Sequence, residues 1–417
     1  MNLENSTDRS KLVILATIGL LYSIGIAYLL PNLPNQLYAN DFFKRWYASR
    51  MLLTTGRSLY DGANASELVK ITGWPHTYDL HYYYPANLLF VTAPLSMLPY
   101  RVAIFIWILF GLWCLWLSMI IFARLLKGGL SINRLTLLLV LMTTSVPVLQ
   151  HTVFAQFNTL GVLALALTYQ ALYRRKYLLA GVWAGGMLFK PQVTILPLFI
   201  LLIWSLLERE RRSFWIGWLL VCLFLWGVPE LLEPNWVIAF WRSLSRYQAF
   251  PVSSVIDRVW DPYHIVSLGL VLITLWFTFR LRRLPASSSH FSALLAWTVN
   301  LTALIVPLYA MLHMVLMGPV LVILLCGYAT FYPAYTRWVW LGIIGFFVAG
   351  LLAFVIPLFL SGLTGLQISS AEMVYRFTIP IVLSLLILPL ILHPVDAYGV
   401  SSPLLKQVDA VNLPLGQ

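Results

Sequence analysis

The stretch Val102–Phe122, VAIFIWILFGLWCLWLSMIIF, carries no charged side chain from end to end. A helix of about 20 apolar residues crosses the hydrocarbon core of a bilayer, so this stretch predicts a transmembrane helix. Similar apolar runs, separated by basic clusters, recur almost to the C-terminus, and the alternating segments typical of a membrane β-barrel are absent. The sequence therefore predicts an all-α, polytopic membrane protein with about 11 to 13 transmembrane helices.

Composition supports this class. Of the 417 residues 60% are hydrophobic and 10% are charged, whereas about a quarter of the residues in a soluble domain are charged. The net charge of +12 comes from Lys and Arg between the apolar runs, which is the positive-inside pattern of a membrane protein and not a nucleic-acid-binding surface. The three cysteines all lie in apolar segments, so a disulfide framework is not expected.

Charge distribution also sets the predicted orientation. Arg9 and Lys11 precede the first apolar run, which favours a cytoplasmic N-terminus. We expect one multi-pass domain of the plasma membrane, residues 1–393, with its active site on the periplasmic or extracellular face. The segments expected outside the spans are a first outer loop at 31–84, a second outer loop at 230–263 and a short cytoplasmic tail at 394–417.

The segment 85–99, PANLLFVTAPLSMLP, is apolar but interrupted by prolines. A full crossing here would invert the orientation of every later span. Short interrupted segments at membrane depth are tolerated where they line a cavity enclosed by protein. We therefore predict a partial or re-entrant segment that borders a cavity beside the first outer loop.

The first outer loop contains Asn40–Tyr60, NDFFKRWYASRMLLTTGRSLY, in which aromatic and basic residues alternate at roughly helical spacing. This pattern predicts an interfacial amphipathic helix over residues 40–56. Asp41 opens this helix, where it can serve as an N-cap or as a general base toward a hydroxyl. Lys44 and Arg45 can pair with Asp41, hold a phosphate, or simply extend toward the lipid headgroups.

Lys190 lies at a break between two apolar runs and is followed at once by Pro191. A lysine at an outer helix end departs from the positive-inside bias, and cations within a membrane are costly and commonly functional. The phosphate of a lipid carrier is a suitable anionic partner at this depth. The alternative is a lysine whose ammonium group extends to the outer headgroups.

Further polar residues fall on the outer side of the predicted topology: Tyr84, Gln156, Asn158, His264 and His313. The amides of Gln156 and Asn158 can donate to sugar hydroxyls or bridge helices. His264 follows an Asp-Pro turn and can border the same cavity. His313 stands in an apolar stretch, where it is either a hydrogen-bonded packing residue or a phosphate ligand.

Common catalytic motifs are absent, because the sequence has no P-loop, dinucleotide fingerprint, HExxH zinc motif or GxSxG nucleophile elbow. Nucleotide-driven and serine-hydrolase classes therefore lose their usual support. A polytopic lipid transporter or flippase is the main alternative to an enzyme, although the related halves typical of transporters are not seen. A scaffold subunit is a third alternative, and it predicts that Asp41 and Lys190 are replaceable.

A set of short motifs over about residues 38 to 210 resembles glycosyltransferase family 87. Members of that family are GT-C membrane transferases and include polyprenol-phosphate-mannose-dependent mannosyltransferases. The motifs, in order, are an Asp after the first span (Asp41), Gly and Leu-Tyr (Gly56, Leu59, Tyr60), Tyr-Pro with Ala-Pro-Leu (Tyr84, Pro85, Ala93, Pro94, Leu95), Gln-x-Asn (Gln156, Asn158) and Phe-Lys-Pro (Phe189, Lys190, Pro191).

The resemblance implies a GT-C-type helical bundle with a cavity at its outer face. A hexose, mannose by family default, would pass with inversion from a polyprenyl-phosphate-sugar donor to a hydroxyl of a lipid or glycan acceptor. The implied roles are Asp41 as catalytic base, Lys190, Arg45 and His313 as ligands of the donor phosphate, and Gln156, Asn158, Tyr84 and His264 as sugar or acceptor contacts. Ala86 and Ala155 depart from the Tyr-Pro-Pro and Gly-Gln patterns of the family.

No cofactor is expected, because a polyprenyl phosphate is already a competent leaving group. A metal ion is not required either, although Asp41, Asp61 and Asp79 of the first outer loop could in principle bind one. The expected partners are therefore the lipid-linked donor, a glycolipid or glycan acceptor and the lipids of the membrane, with no nucleic acid.

Overall fold

The structure is a computed structural model that describes residues 6–29, 41–73, 80–247, 264–306, 311–364 and 369–394. Over these residues the chain forms α-helices joined by short 3-10 turns, with no β-strand among them, which confirms the all-α prediction. Pro394 is the only residue of the predicted cytoplasmic tail that the structure describes. In chain order the α-helices are α1 (Ser6–Leu29), α2 (Asp41–Thr55), α3 (Gly62–Thr72), α4 (Leu89–Ser96), α5 (Tyr100–Leu125), α6 (Ile132–Thr143), α7 (Val146–Val153), α8 (Asn158–Tyr173), α9 (Tyr177–Gly185), α10 (Pro191–Leu206), α11 (Ser213–Glu230), α12 (Trp236–Tyr247), α13 (Ile265–Arg280), α14 (Ser289–Ile305), α15 (Met317–Phe331), α16 (Thr336–Thr364) and α17 (Ser369–Leu392).

Several helices are suited to a membrane. In the described part of the chain, four stretches are long and apolar enough to cross a bilayer, and a fifth results if α6 and α7, bent by 52° where they meet, form one broken span. The other apolar helices are 10–17 residues long. These findings support a polytopic membrane protein, but full-length spans among the described residues do not reach the predicted number of about 11 to 13. The four long stretches are Tyr100–Leu125, Arg209–Glu230, His313–Phe331 and Pro333–Leu352.

Helices α9 and α11 cross with their backbones in contact. A Cβ atom added to Gly181 would lie 1.9 Å from the carbonyl oxygen of Phe214, and one added to Gly217 would lie 2.1 Å from that of Leu178. Small residues permit this approach where lipid supplies no hydrophobic force between helices. The tight crossing fixes the end of α9, which leads directly to Lys190.

Helix α2 forms as predicted, and its aromatic face is covered by protein. Phe42 stacks on Trp107 with ring centres 5.6 Å apart, and Phe43 meets the ring of Tyr100 edge-on at 4.7 Å. These contacts pack the aromatic face of α2 on α5. The Arg45 side chain, on the basic face, is also turned inward and is fully buried. The interpretation of Arg45 as a charge that reaches toward the headgroups is therefore wrong.

The Pro-interrupted segment 85–99 contains a short apolar helix, Ala86–Ser96, made of a 3-10 turn and α4. Its length of about 16 Å, at 1.5 Å per residue, is half of the ~30 Å hydrocarbon core. The Trp46 indole donates a hydrogen bond of 3.1 Å to the carbonyl of Leu95, and the hydroxyls of Ser49 and Thr92 lie 2.7 Å apart. The segment thus has the length of a partial crossing and packs against α2.

The part of the second outer loop that the structure describes folds onto the first. Helix α12 buries Trp236 completely, while Trp241 on its opposite face is largely exposed. The Ser243 hydroxyl donates a 2.9 Å hydrogen bond to the carbonyl of Tyr82. Residues 248–263 lie outside the described residues. The described parts of the two outer segments are therefore in direct contact.

Candidate functional site

Asp41 is the first residue of α2, and its carboxylate contacts three side chains. The Lys44 ammonium lies 2.7 Å from one carboxylate oxygen, and the Arg45 guanidinium lies 3.4 Å from the other. The amide nitrogen of Gln156 donates a hydrogen bond to the same oxygen that faces Arg45. Lys44 and Arg45 reach the carboxylate because residues three and four positions apart are neighbours on a helix surface.

Gln156 also connects Asp41 to Lys190. The Lys190 ammonium donates a hydrogen bond to the amide oxygen of Gln156, whose nitrogen is directed at Asp41. A primary amide can do this because it carries both an acceptor and a donor. Gln156 and Lys190 are each about 5% exposed or less. In this structure Gln156 thus acts as a bridging amide, and both ends of its side chain are occupied.

Breaks in helices bring Gln156 and Lys190 to this position. Gln156 stands between α7 and α8, and the preceding Ala155 has a left-handed backbone with φ of 46°. Glycine favours such angles, which gives a physical reason for the Gly-Gln pattern from which this chain departs. Lys190 stands between a 3-10 turn and Pro191, which begins α10 and has no backbone N–H to continue the preceding helix.

Arg45 is held between two aromatic rings. Its guanidinium carbon lies 3.6 Å from the ring centre of Tyr84 and 4.2 Å from that of Phe157, which is cation–π geometry. The side chain is fully buried, and beyond the 3.4 Å ion pair with Asp41 its nitrogens make no hydrogen bond to an acceptor among the described residues. Buried guanidinium donors without acceptors are costly, so this group is suited to receive an anion such as a phosphate.

Charge is unbalanced at the site, because Lys44 and Arg45 face the single Asp41 carboxylate and Lys190 is linked to it through Gln156. Burial by itself raises the pKa of Asp41, but the charges of Lys44 and Arg45 outweigh it and hold that pKa well below its ordinary value. For Lys44 burial acts to lower the pKa, and the facing Asp41 carboxylate raises it above its ordinary value. Asp41 is therefore ionised at neutral pH, and the site has a net positive charge.

Three other predicted site residues are Tyr84, Asn158 and His313. Tyr84 forms one wall of the cluster around Asp41 through its contact with Arg45. Asn158 is buried as the first residue of α8, two positions after Gln156. His313 is buried in the 3-10 turn Met311–Leu316, which packs against α7 and α8.

His264 does not share this environment. It is exposed where α13 begins and has a left-handed backbone with φ of 57°. Within the described part of the chain, Asp41, Gln156 and Lys190 form their hydrogen bonds and ion pairs with one another and with Lys44 and Arg45, and not with His264. Its role as a sugar or acceptor contact stays a prediction.

Sequence reasoning missed His151, which is buried in α7. Its backbone carbonyl accepts a 3.0 Å hydrogen bond from the backbone N–H of Gln156 and so fixes the turn. Side chains of His151, Gln156 and Thr159 line a small cavity of about 10 Å³, close to the space that one water molecule needs. The only signal for His151 in the sequence is its position five residues before Gln156 in an otherwise apolar run.

No metal site is evident in the described residues, because no three His, Cys, Asp or Glu side chains there lie close enough together. Asp61, a predicted alternative ligand, caps α3 by accepting a 2.8 Å hydrogen bond from the backbone of Ala63. Asp79 lies outside the described residues. The side chains around Asp41 are cationic and amide groups, which suit an anion better than a metal ion.

Comparison with protein families gives a match that covers part of the site. The family model described as Glycosyltransferase family 87 matches residues 82–307, more than half of the chain. This range contains Tyr84, Gln156 and Lys190 but begins after Asp41 and Arg45, so the two groups contributed by α2 lie outside it. No curated protein and no solved structure matches the chain.

Proposed function

The chain belongs to glycosyltransferase family 87, and from that premise we propose that it moves a hexose from a polyprenyl-phosphate-sugar donor to a hydroxyl of a glycolipid or glycan acceptor. Mannose is the expected sugar. The reaction takes place with inversion at the outer face of the plasma membrane. The observation that carries the proposal is the Asp41 carboxylate set among Lys44, Arg45 and the Gln156–Lys190 pair.

The cations of the site suit the donor phosphate. Arg45 offers a buried guanidinium that faces Asp41 with one nitrogen and whose other nitrogens have no hydrogen-bond acceptor among the described residues. Lys190 is buried one amide away from Asp41. A phosphate that bound to both groups would be held in a water-poor environment, where charge-assisted hydrogen bonds are strongest. His313, on a turn packed against α7 and α8, stays a candidate for the same phosphate.

The transfer step uses Asp41 as general base. The acceptor oxygen attacks the anomeric carbon, and the bond from that carbon to the phosphate oxygen breaks with its electron pair left on the oxygen. The hydroxyl proton passes to the Asp41 carboxylate. The products are a glycosylated acceptor and a polyprenyl phosphate, whose added negative charge Lys190 and Arg45 stabilise. Gln156, Asn158 and Tyr84 are the candidate contacts to the sugar.

Binding of the donor also makes Asp41 a stronger base. While Lys44 and Arg45 face the carboxylate, its pKa is well below the ordinary range and its proton affinity is low. A donor phosphate adds negative charge beside the same two cations and so raises the pKa of Asp41 toward its ordinary value. Asp41 is therefore an effective base only when the donor is bound. The chemistry needs no cofactor, since the donor carries its own leaving group.

Activity of the purified protein in lipid tests the proposal. Radiolabelled polyprenyl-phosphate sugars and candidate acceptors are supplied, and sugar transfer is compared between the wild type, Asp41→Asn and the control Asp61→Asn. Asp61 is an exposed carboxylate of the same outer loop, and asparagine caps a helix as well as aspartate does. We expect Asp41→Asn to lower kcat by about 10²–10⁴-fold and Asp61→Asn to leave it unchanged. Equal transfer by Asp41→Asn would remove the base from the mechanism, and lipid movement without sugar transfer would indicate a flippase.

A further inference from the structure

A buried carboxylate outside the cluster connects the two outer segments. Glu233 is 5% exposed and stands between α11 and α12. One of its oxygens accepts a 2.5 Å hydrogen bond from the hydroxyl of Ser58, and the other accepts a 2.9 Å bond from the backbone N–H of Leu59. Among the described residues no basic side chain forms an ion pair with it. Among the described residues, the hydrogen bonds to this carboxyl group therefore come from the first outer loop.

The position of Glu233 is set by its own turn. Its backbone N–H donates a 2.9 Å hydrogen bond to the carbonyl of Pro229, and its carbonyl accepts one of 3.2 Å from Trp236. The Trp236 indole is fully buried and donates to the carbonyl of Trp226 at 3.1 Å. The carboxylate thus projects from a rigid support at the end of α11, a helix long enough to span a bilayer.

The residues that Glu233 holds lead to the site. Tyr60 follows Leu59, and its phenol donates a 2.8 Å hydrogen bond to the backbone carbonyl of Tyr84. The ring of Tyr84 lies 3.6 Å from the guanidinium carbon of Arg45, which faces Asp41. Hydrogen bonds, the peptide bond between Leu59 and Tyr60 and a ring contact therefore connect Glu233 to Arg45.

We propose that Glu233 is a positioning residue for the transfer reaction: by fixing Leu59 and Tyr60 it places the ring of Tyr84 that orients Arg45. This inference rests on the proposed function, because it concerns the same reaction. A buried acidic side chain that receives two short hydrogen bonds and has no counterion among the described residues is unusual. An orienting role would explain why it is there. Glu233 does not contact Asp41, so it is not a catalytic residue.

Replacement by glutamine separates an orienting role from a chemical one. The amide oxygen of Glu233→Gln can accept from the Leu59 N–H, and its NH₂ group can donate to the Ser58 oxygen, so both links survive without the charge. Glu233→Ala removes both links and leaves the Leu59 N–H unsatisfied. An orienting role therefore predicts that glutamine rescues the enzyme and that alanine does not.

The experiment measures sugar transfer by purified protein in lipid for four variants: Glu233→Ala, Glu233→Gln, Tyr60→Phe and the double variant Glu233→Ala/Tyr60→Phe. We expect Glu233→Ala to lower kcat/KM about tenfold or more, mainly through KM for the donor, and Glu233→Gln to stay within about threefold of the wild type. Tyr60→Phe removes the bond to Tyr84 and lowers kcat/KM in the same manner. Because both changes act on one path, the double variant falls no further than the more impaired single variant.

Three results would overturn the inference while wild-type transfer is intact: full activity of Glu233→Ala, an equal loss in Glu233→Gln and Glu233→Ala, or additive losses in the double variant. An inactive wild type would instead contradict the proposed function. If Glu233→Ala does not fold, Ser58→Ala replaces it. That variant removes the Ser58–Glu233 hydrogen bond and the 3.2 Å bond that the Ser58 hydroxyl accepts from the backbone N–H of Tyr60, and it keeps the link from Glu233 to Leu59. We expect a partial loss that Tyr60→Phe does not deepen.

Discussion

The side-chain amide of Gln156 donates a hydrogen bond to the carboxylate of Asp41, 115 residues earlier in the chain. The amide oxygen of Gln156 accepts from the Lys190 ammonium at the same time. An amide with both ends occupied has one favourable orientation, because rotation by half a turn would place its oxygen against the carboxylate. Gln156 thereby holds the Lys190 ammonium and the Asp41 carboxylate at a fixed spacing, with one amide side chain between them.

Replacement of Gln156 by glutamate tests this bridge. The new carboxylate can still accept from Lys190, but its other oxygen faces Asp41 with the same charge, so the hydrogen bond to Asp41 is lost and the two carboxylates move apart. We expect kcat/KM to fall about 10–100-fold, since the loss of a hydrogen bond to a charged group costs about 1.5–3 kcal/mol. Gln192→Glu, an exposed position in α10, is the matched control and should retain wild-type activity. Unchanged transfer by Gln156→Glu would mean that the bridge has no part in the reaction.

The pH dependence of kcat/KM tests the charge balance at Asp41. In the free protein Lys44 and Arg45 hold its pKa well below the usual value of about 3.9, so the carboxylate is ionised from neutral pH down to that value. We expect no loss of kcat/KM from Asp41 protonation between pH 7 and about 5. Lys44→Met removes the nearest cation, raises the pKa and moves the acid-side loss to higher pH.

Lys70→Met is the control for that comparison, because Lys70 is an exposed lysine on α3. Its pH profile should superimpose on that of the wild type. Identical profiles for Lys44→Met and the wild type would show that the Lys44 charge does not control the protonation of Asp41.

Replacement of Arg45 by lysine separates charge from shape. Lysine keeps the positive charge, but it lacks the planar group that fits between Tyr84 and Phe157 and the fork of donors that matches a phosphate. We expect KM for the donor to rise about tenfold, since a cation–π contact and a paired hydrogen bond are each worth on the order of 1 kcal/mol. Arg101→Lys, at an exposed position, should change nothing. A wild-type KM in Arg45→Lys would show that position 45 needs a positive charge but not the planar shape of a guanidinium.

The crossing of α9 and α11 makes a prediction about stability. Alanine at position 181 would place a Cβ atom 1.9 Å from the carbonyl oxygen of Phe214, so the two backbones must separate. We expect Gly181→Ala to lower the free energy of unfolding by about 1–3 kcal/mol or more, measured by thermal unfolding in detergent. Gly227→Ala, in the same α11 helix, has no atom within 4 Å of the added Cβ and should be neutral or slightly stabilising. Equal melting temperatures for the two variants would argue against the close crossing.

Local sequence signals were sufficient for most of the secondary structure. Uncharged runs predict helices because every backbone polar group in a membrane must be bonded internally. Helix α5 follows the run Val102–Phe122 closely, whereas the next apolar run is divided between α6 and α7 at a 52° bend. The prolines in 85–99 predicted a segment too short to cross, and the structure has only Ala86–Ser96 there. The number of full spans was harder to predict, because an apolar run does not reveal where a helix bends or ends.

The sequence by itself determined that this is an all-α membrane protein and which polar side chains interrupt its apolar runs, because both depend on composition along a short segment. Only the tertiary structure decided that Arg45 turns inward, that Gln156 joins Asp41 to Lys190, and that Glu233 binds the first outer loop. The physical reason is that helical periodicity gives the face on which a side chain lies but not the partner opposite that face. That partner comes from the packing of helices far apart in the chain, where burial of a charge is tolerated only if complementary groups meet it.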